Sequence, residues 1–253
     1  MNSLYIQQID LRVDLPSNEY YSEIGAVKHI LKNGALELSC PVTFFMGENG
    51  SGKSTLIEAI AVAYGFNPEG GTGNFNFETR SSHSELFRYI KLIKGYKRPE
   101  NRFFLRAESF YNVATNIDEL DSDPYASFAP PIKNSYGGVS LHEKSHGESF
   151  LTLAENRFGK NGLYILDEPE AALSPTGILR LMVRMDELVK QGSQFIISTH
   201  SPILSAFPNA DIFELSDDGI TPVQYKQTSH YIITKRFLDD PDGMLKYMLD
   251  ADE

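Results

Sequence analysis

The chain has 253 residues, enough for one large α/β domain, and its 41% hydrophobic and 23% charged residues indicate a globular protein rather than a disordered one. We expect a single domain over residues 1–253. The formal net charge of -11 at pH 7 argues against a surface that is basic all round but allows a local basic strip. Cys40 is the single cysteine, which excludes an intrachain disulfide and fits a reducing, cytoplasmic location. No stretch approaches the roughly 18 apolar residues that span a bilayer, so direct membrane insertion is not expected.

The first half of the chain predicts strands alternating with helices. Residues 4–13 and 35–46 have strand-like apolar patterns. Apolar residues then follow helical spacing over 53–65, where a glycine is a typical helix stop. A basic amphipathic helix is expected over 84–94, and a buried strand over 102–107.

The second half predicts a small insertion and then a return to alternating elements. The insertion, about 109–158, is rich in loop-forming residues and ends in a helix that follows Gly147. After it we expect a strand at 163–166, a helix that starts at Pro175 and ends at Gly192, a strand at 195–197 and a hairpin over 211–225. Strands that alternate with helices predict a mainly parallel sheet.

A glycine-rich segment follows the second predicted strand and matches the pattern G-x-x-x-x-G-K-[ST]. Its residues are Gly47, Glu48, Asn49, Gly50, Ser51, Gly52, Lys53 and Ser54, with Thr55 next. Glycines let backbone N–H groups converge on phosphate oxygens, and the positive end of the following helix points at the same anion. The pattern predicts an ATP site in which Lys53 contacts the β- and γ-phosphates, Ser54 the Mg2+ and Thr55 the α-phosphate.

Two adjacent acids, Asp167 and Glu168, end the apolar strand at 163–166. Acids at the exit of a buried strand are costly unless a positive charge compensates them, and Mg2+ bound to ATP would do so. We expect Asp167 to hold the metal, directly or through water. Glu168 would polarise the attacking water.

Together these motifs resemble those of the ABC ATPase family. Residues 47–55 are similar to its Walker A motif, and residues 163–168 to its Walker B motif with the catalytic glutamate. The segment Ser-His-Gly-Glu-Ser resembles the family's Leu-Ser-Gly-Gly-Gln signature, and the resemblance implies that its Ser145 and Gly147 contact the nucleotide held by a second subunit. His200 lies where the family has its switch histidine.

The chain departs from the family pattern at several positions. Lys144 and His146 stand where the signature commonly has Leu and Gly, and the segment 172–175, in the place of the D-loop, lacks its usual aspartate. No glutamine is found where the Q-loop is expected, and Glu108 is the natural substitute as a carboxylate for the metal. The run 167–175 is similar to stand-alone ATPases of the RecF-like and overcoming-lysogeny-defect type.

The resemblance implies an α/β P-loop fold of the ABC type: a mainly parallel sheet flanked by helices, an antiparallel β part and the small insertion. It implies ATP-Mg binding and hydrolysis at a two-fold homodimer interface, as a nucleotide-driven switch in nucleic-acid handling or defence. Two alternatives stay open, the ATP-hydrolysing subunit of a membrane transporter and a nucleotide-dependent binding module with little turnover. Only 36 residues separate Glu108 from Ser145, which favours the switch over a transporter subunit.

Three other features allow more than one interpretation. Tyr20 or Tyr21 could stack on adenine or simply pack in the core. His142 and His146 have the spacing of a metal pair, but no further ligand accompanies them, so no histidine metal site is expected. A basic strip over 88–106 is either a solvated face or a nucleic-acid contact. The strip consists of Arg88, Lys91, Lys94, Lys97, Arg98, Arg102 and Arg106.

Overall fold

The computed structural model describes residues 4–68, 70–71, 84–106 and 146–249. Within these ranges the strands are β1 (Ile6–Leu11), β2 (Leu36–Glu37), β3 (Val42–Met46), β4 (Ile90–Lys94), β5 (Asn101–Arg106), β6 (Gly162–Asp167), β7 (Gln194–Ser198), β8 (Ala210–Ser216) and β9 (Gly219–Pro222). The α-helices are α1 (Gly25–Asn33), α2 (Lys53–Tyr64), α3 (His146–Arg157), α4 (Pro175–Lys190), α5 (Ser229–Asp239) and α6 (Pro241–Leu249). Most of the expected insertion, including Glu108, His142 and Ser145, lies outside the described residues.

Six strands form one sheet in the order β5-β6-β7-β3-β8-β9. Neighbours from β5 to β8 run parallel, and β9 returns antiparallel to β8 as the predicted hairpin. Strands β3, β6 and β7 are buried along their whole length, in keeping with their continuous apolar sequences. The predicted mainly parallel sheet is confirmed. Because the carboxyl ends of parallel strands meet at one edge, the segments that follow β3, β6 and β7 are brought together there.

Helices cover both faces of this sheet. Successive residues of a strand point to opposite faces, so Phe44 lies in one apolar core with α3 and α4, whereas Phe45 lies in the other with α1 and α2. The predicted ends of two helices are confirmed. Gly65, with φ 109°, follows the last residue of α2, and the Ser174 hydroxyl caps α4 by accepting a bond from the Gly177 backbone N–H at 3.1 Å.

A second, antiparallel sheet has the strand order β2-β1-β4. Gln194, at the start of β7, joins it to the main sheet. The Gln194 Oε1 accepts bonds from the backbone N–H groups of Tyr5 at 2.8 Å and Ile6 at 3.0 Å, and its Nε2 donates to the Ile6 carbonyl at 2.9 Å. The residue is 1% exposed. One buried amide therefore satisfies three backbone groups where β1 passes the main sheet.

We expect Gln194→Leu to lower the free energy of unfolding by about 3 kcal/mol. Leucine keeps most of the side-chain volume but leaves buried backbone groups unpaired, at a cost of about 1–3 kcal/mol each. Urea denaturation measures the change. The same substitution at the exposed Gln191 should change stability by less than about 0.5 kcal/mol. Equal stabilities of the two variants would mean that the Gln194 bonds contribute nothing.

The predicted basic helix over 84–94 is wrong. Residues Glu85–Arg88 form a short 3-10 turn, and the chain then enters β4, which pairs with β1. Ile90 is buried, and Lys91 and Lys94 are exposed. Basic residues three apart at 88, 91 and 94 imitate helical spacing. The antiparallel hydrogen bonds to β1 decide in favour of the strand.

The C-terminal helices α5 and α6 lie on the outside of the molecule. No residue of either helix is buried, and several large apolar side chains are exposed. They are Ile232, Ile233, Phe237, Leu238, Leu245, Tyr247, Met248 and Leu249. Among the described residues, no helix combines the length and apolar character that crossing a membrane requires.

Candidate active site

The segment between β3 and α2 has a backbone that requires glycine at two positions. Gly47 has φ 146° and Gly52 φ 86°. A Cβ on Gly47 would lie 2.3 Å from the Leu215 carbonyl oxygen, and one on Gly52 would lie 2.4 Å from a side-chain carbon of Ile24. Glycine is therefore needed at both positions for its conformation and for its small size.

A cavity of about 330 Å3 opens between this segment and the end of β6. It is lined by Tyr20, Ile24, Asn49, Gly50, Gly52, Lys53, Ser54, Thr55 and Glu168. Residues predicted to contact a nucleotide thus surround one space together with a predicted catalytic acid. Of the two tyrosines, Tyr20 is 63% exposed and faces this cavity, whereas Tyr21 is 2% exposed and packs in the core.

Lys53, the first residue of α2, is 4% exposed. Its ammonium group donates hydrogen bonds to the carbonyl oxygens of Gly47 at 2.8 Å and Glu48 at 3.0 Å. Burial lowers the pKa of Lys53, and the negative charges of Glu168 and Asp167 oppose that shift. The loop therefore holds a partly desolvated cation beside the cavity. A phosphate group in the cavity would interact strongly with this cation, because water screens the pair only weakly.

Asp167 ends β6 and is also buried. Its Oδ1 accepts a hydrogen bond from the Ser54 hydroxyl at 3.1 Å and another from the Ser198 hydroxyl. Burial raises the pKa of Asp167, while these two bonds act in the opposite direction. A carboxylate and a hydroxyl oxygen side by side are the ligands that Mg2+ prefers, and a cation here would compensate the buried charge. The oxygen atoms of Asp167 and Ser54 therefore fit a magnesium site.

Glu168 follows in a left-handed conformation, with φ 48° and ψ 53°. Such a backbone costs a non-glycine residue about 1 kcal/mol or more and is typical of functional sites. The Glu168 N–H donates to the Ser198 carbonyl at 3.1 Å, which fixes this turn against β7. Its Oε1 lies 3.1 Å from the Nε2 of His200, so the predicted catalytic acid and the predicted switch histidine are in contact.

Sequence reasoning missed Glu170, Ser198 and His230. The Glu170 Oε1 accepts bonds from the Thr199 hydroxyl and the His200 backbone N–H, both at 2.6 Å, and so holds the segment that carries the switch histidine. The Nε2 of His230 lies 3.2 Å from the His200 Nδ1. Glu170 lies within the run 167–175, which already marked the resemblance to stand-alone ATPases. Ser198 lies two residues before His200 but was not singled out, and His230 belongs to no motif; β7 and α5 carry these two residues.

Gly147 lies apart from the phosphate segment within one chain. It is near the start of α3, where a Cβ would meet the Ala172 carbonyl oxygen at 2.7 Å. It lines a different cavity, of about 450 Å3, with Glu148 and Ser174. The signature candidate Gly147 and the cavity beside Lys53 are therefore separate features of the described chain.

The basic strip over 88–106 is partly neutralised. Arg88 pairs with Glu85 at 3.2 Å and Lys91 with Asp10 at 3.8 Å. Arg106 makes a largely buried ion pair with Glu58 at 2.9 Å. Arg106 is therefore part of a largely buried ion pair. A nucleic-acid contact through the rest of the basic strip stays a prediction.

Comparison with known proteins adds two family matches. Residues 24–124 match a family model described as "AAA domain", and residues 140–206 match one described as "AAA domain, putative AbiEii toxin, Type IV TA system". The first includes the phosphate segment, and the second includes Asp167, Glu168 and His200. The chain therefore contains a P-loop ATPase domain of the AAA/ABC type.

Curated relatives of the ATPase include ABC transporter G family member 2 of Dictyostelium discoideum, 22% identical over 88% of this chain and 17% of that protein. The energy-coupling factor transporter ATP-binding protein EcfA2 of Mycoplasmopsis pulmonis is 28% identical over 61% of this chain and 60% of its own. The cytochrome c biogenesis ATP-binding export protein CcmA of Legionella pneumophila is 28% identical over 69% of this chain and 83% of that protein. The ATPase thus spans about a sixth of the first relative and 60% of the second.

A solved structure supports the fold. A nucleotide-free ATP-binding cassette from an ABC transporter superposes with a TM-score of 0.52 at 18% identity, over 94% of this chain and 96% of that chain. The predicted ABC-type α/β fold is confirmed.

Proposed function

We propose that the ATPase binds ATP-Mg in the cavity beside Lys53 and hydrolyses it there, as a nucleotide-driven conformational switch. One observation carries this proposal. The ends of β3, β6 and β7 bring Lys53, Ser54, Asp167, Glu168 and His200 to one edge of the sheet, where hydrogen bonds link Ser54 to Asp167 and Glu168 to His200, each at 3.1 Å. These five side chains come from segments that are far apart in sequence.

In this proposal the segment 47–55 binds the phosphates. Backbone N–H groups and the positive end of α2 face the phosphate oxygens, and Lys53 exchanges its bonds to the loop carbonyls for the β- and γ-phosphates. Ser54 and Asp167 would hold Mg2+, with Glu108 as a further candidate, and the metal would neutralise phosphate charge. Tyr20, which lines the cavity, is the better candidate of the two tyrosines for stacking on adenine.

Glu168 acts as the general base. It takes a proton from the attacking water as the water oxygen bonds to the γ-phosphorus and the bond to the leaving ADP oxygen breaks. The turn that begins at Glu168 is fixed by the Ser198 carbonyl, so the carboxylate is held at the cavity before substrate arrives. His200, whose Nε2 is 3.1 Å from that carboxylate, would turn its N–H from Glu168 to the γ-phosphate when ATP is bound.

We further propose that two copies form an ATP-dependent dimer. Gly147 lies apart from the nucleotide cavity within one chain, and a two-fold arrangement would bring Ser145 and Gly147 of each copy to the ATP of the other. Two nucleotides would then be part of one interface, and ATP would shift the monomer–dimer balance by mass action. In this arrangement, ATP binding would close the dimer and ATP hydrolysis would open it.

Size exclusion with light scattering tests the dimer. The Glu168→Gln variant should be dimeric with ATP-Mg and monomeric with ADP or without nucleotide, because it holds ATP without consuming it. Adding Ser145→Arg should restore the monomer, whereas Ser39→Arg, on an exposed residue before β3, should leave the dimer intact. A monomer under all three nucleotide conditions would contradict the sandwich arrangement.

A second candidate is the ATP-hydrolysing subunit of a membrane transporter. The names of the relatives above favour it. Affinity purification of tagged Glu168→Gln protein from the native host, with ATP-Mg present, separates the two. A stoichiometric integral membrane partner would support the transporter, and a nucleotide-loaded dimer without one would support the stand-alone switch. The cytoplasmic location stays a prediction that the same fractionation checks.

A further inference from the structure

Both ring nitrogens of His200 have a side-chain partner. The Nε2 lies 3.1 Å from the Glu168 Oε1, and the Nδ1 lies 3.2 Å from the Nε2 of His230. The two imidazole rings meet edge to face, with centroids 5.2 Å apart. The His200 backbone N–H is held separately by Glu170. Glu170 therefore fixes the main chain, and Glu168 and His230 fix the ring.

The attachment of α5 is concentrated in the turn that carries His230. Thr228, which is fully buried, caps the helix by accepting a bond from the Tyr231 N–H at 3.3 Å. The Ser229 N–H donates to the Glu214 Oε1 at 3.0 Å, and the Ser229 hydroxyl bonds the same oxygen. None of the residues of α5 is buried. These hydrogen bonds therefore hold the first turn of α5 to the rest of the protein, and this turn places the His230 imidazole against His200.

The directions of these hydrogen bonds follow from which groups can donate. A carboxylate only accepts, so the His200 Nε2 carries the proton in its bond to Glu168. A neutral imidazole then has a bare Nδ1, which accepts a bond from the His230 Nε2–H. His230 is left with a bare Nδ1. That atom is buried and has no hydrogen-bond partner within the described ranges. A nitrogen without a proton agrees with this, because buried N–H donors without a partner are rare.

The charge state of His230 agrees with this pattern. Burial lowers its pKa, and the neighbouring His200 lowers it further. Lys53 acts in the same direction, whereas Glu48 and Glu214 oppose the shift. His230 is therefore neutral near pH 7 and has a single ring N–H to give.

We propose that His230 is a positioning residue: it donates to the Nδ1 of His200 and thereby keeps the proton of His200 on Nε2, facing Glu168 and the γ-phosphate. This inference rests on the proposed role of His200 in hydrolysis. Without the donor, His200 is free to place its proton on Nδ1. A bare Nε2 would then face the Glu168 carboxylate and the phosphate, and two lone pairs would repel.

The tautomer can be read directly. Protein labelled with 15N in histidine gives ring-nitrogen shifts that differ for protonated and bare atoms, and the His200→Gln variant assigns the His200 signals. We expect a protonated Nε2 and a bare Nδ1 on His200 in the wild-type protein without nucleotide. His230→Phe, which keeps an aromatic ring but has no donor, should move His200 toward a mixture of tautomers.

Steady-state kinetics gives the second readout. We expect His230→Phe to lower kcat for ATP by about tenfold, the worth of one oriented hydrogen bond, with little change in KM, because the phosphate segment is untouched. His230→Gln should recover most of the loss, since its amide nitrogen can donate from nearly the same place. Ile233→Ala, at an exposed position of the same helix, is the control and should match the wild type.

Two results would overturn the inference. One is a wild-type His200 with its proton on Nδ1. The other is a His230→Phe protein whose His200 tautomer and kcat equal those of the wild type. If the wild-type protein hydrolyses no ATP, the proposed function fails, and the tautomer measurement still decides on His230. If His230→Phe does not fold, the wild-type tautomer and the glutamine variant decide.

Discussion

Glu168→Gln is expected to lower kcat for ATP hydrolysis by a factor of about 100 to 10,000, the usual contribution of a positioned general base. The amide has nearly the shape of the carboxylate, and its oxygen can still accept from the His200 Nε2, which lies 3.1 Å from the carboxylate now. It cannot take up the proton of the attacking water. ATP affinity should change by less than a few-fold. Phosphate release measures the turnover, and equilibrium binding of a fluorescent ATP analogue measures the affinity.

Glu187→Gln is the matched control for the loss of one carboxylate. Glu187 is on the exposed side of α4 and pairs with Arg184 at 2.9 Å, far in sequence from the phosphate segment. This variant should hydrolyse ATP at the wild-type rate. Undiminished phosphate release from Glu168→Gln would assign the base to another group and leave the contact between Glu168 and His200 without a catalytic role.

Lys53→Met should weaken ATP binding by about 10- to 200-fold, because a hydrogen bond to a charged group contributes about 1.5–3 kcal/mol. The buried ammonium is the closest described cation to the cavity and is already partly desolvated, so water competes weakly for it. The loss should be smaller for ADP, which lacks the γ-phosphate. Titration with fluorescent ATP and ADP analogues gives both constants.

The folding of the variant should be unimpaired. Methionine keeps the buried aliphatic stem, and burial is the main influence on the Lys53 pKa and lowers it, so removing the charge removes a desolvation cost. Against this, the carbonyl oxygens of Gly47 and Glu48 lose the donor that Lys53 supplies. Because the two effects oppose each other, thermal unfolding without nucleotide is expected near the wild-type midpoint. Lys28→Met, at an exposed lysine paired with Glu23, is the control and should bind ATP normally. Equal ATP affinity of both variants would remove Lys53 from the phosphate site.

Short contiguous patterns predicted much of this protein. The segment 47–54 identifies a phosphate loop because the glycine conformations, the strand before it and the helix after it are all properties of neighbouring residues. The hairpin at β8–β9 and the capped start of α4 were predicted for the same reason. Where local spacing was ambiguous, prediction failed. Lysines and an arginine three apart suggested a helix at 84–94, and pairing with β1 made it a strand.

The sequence by itself determined the P-loop type and the parallel sheet, and it singled out Lys53, Asp167 and Glu168 as the candidate chemical groups, because each of these signals is a pattern of neighbouring residues. Only the tertiary structure decided which side chains support them. Ser198 reaches Asp167 because β6 and β7 are neighbours in the sheet, and His230 reaches His200 because the capped start of α5 is fixed to β8. Hydrogen bonds between residues about 30 positions apart leave no periodic pattern, since they depend on how strands are ordered and not on what precedes or follows in the chain.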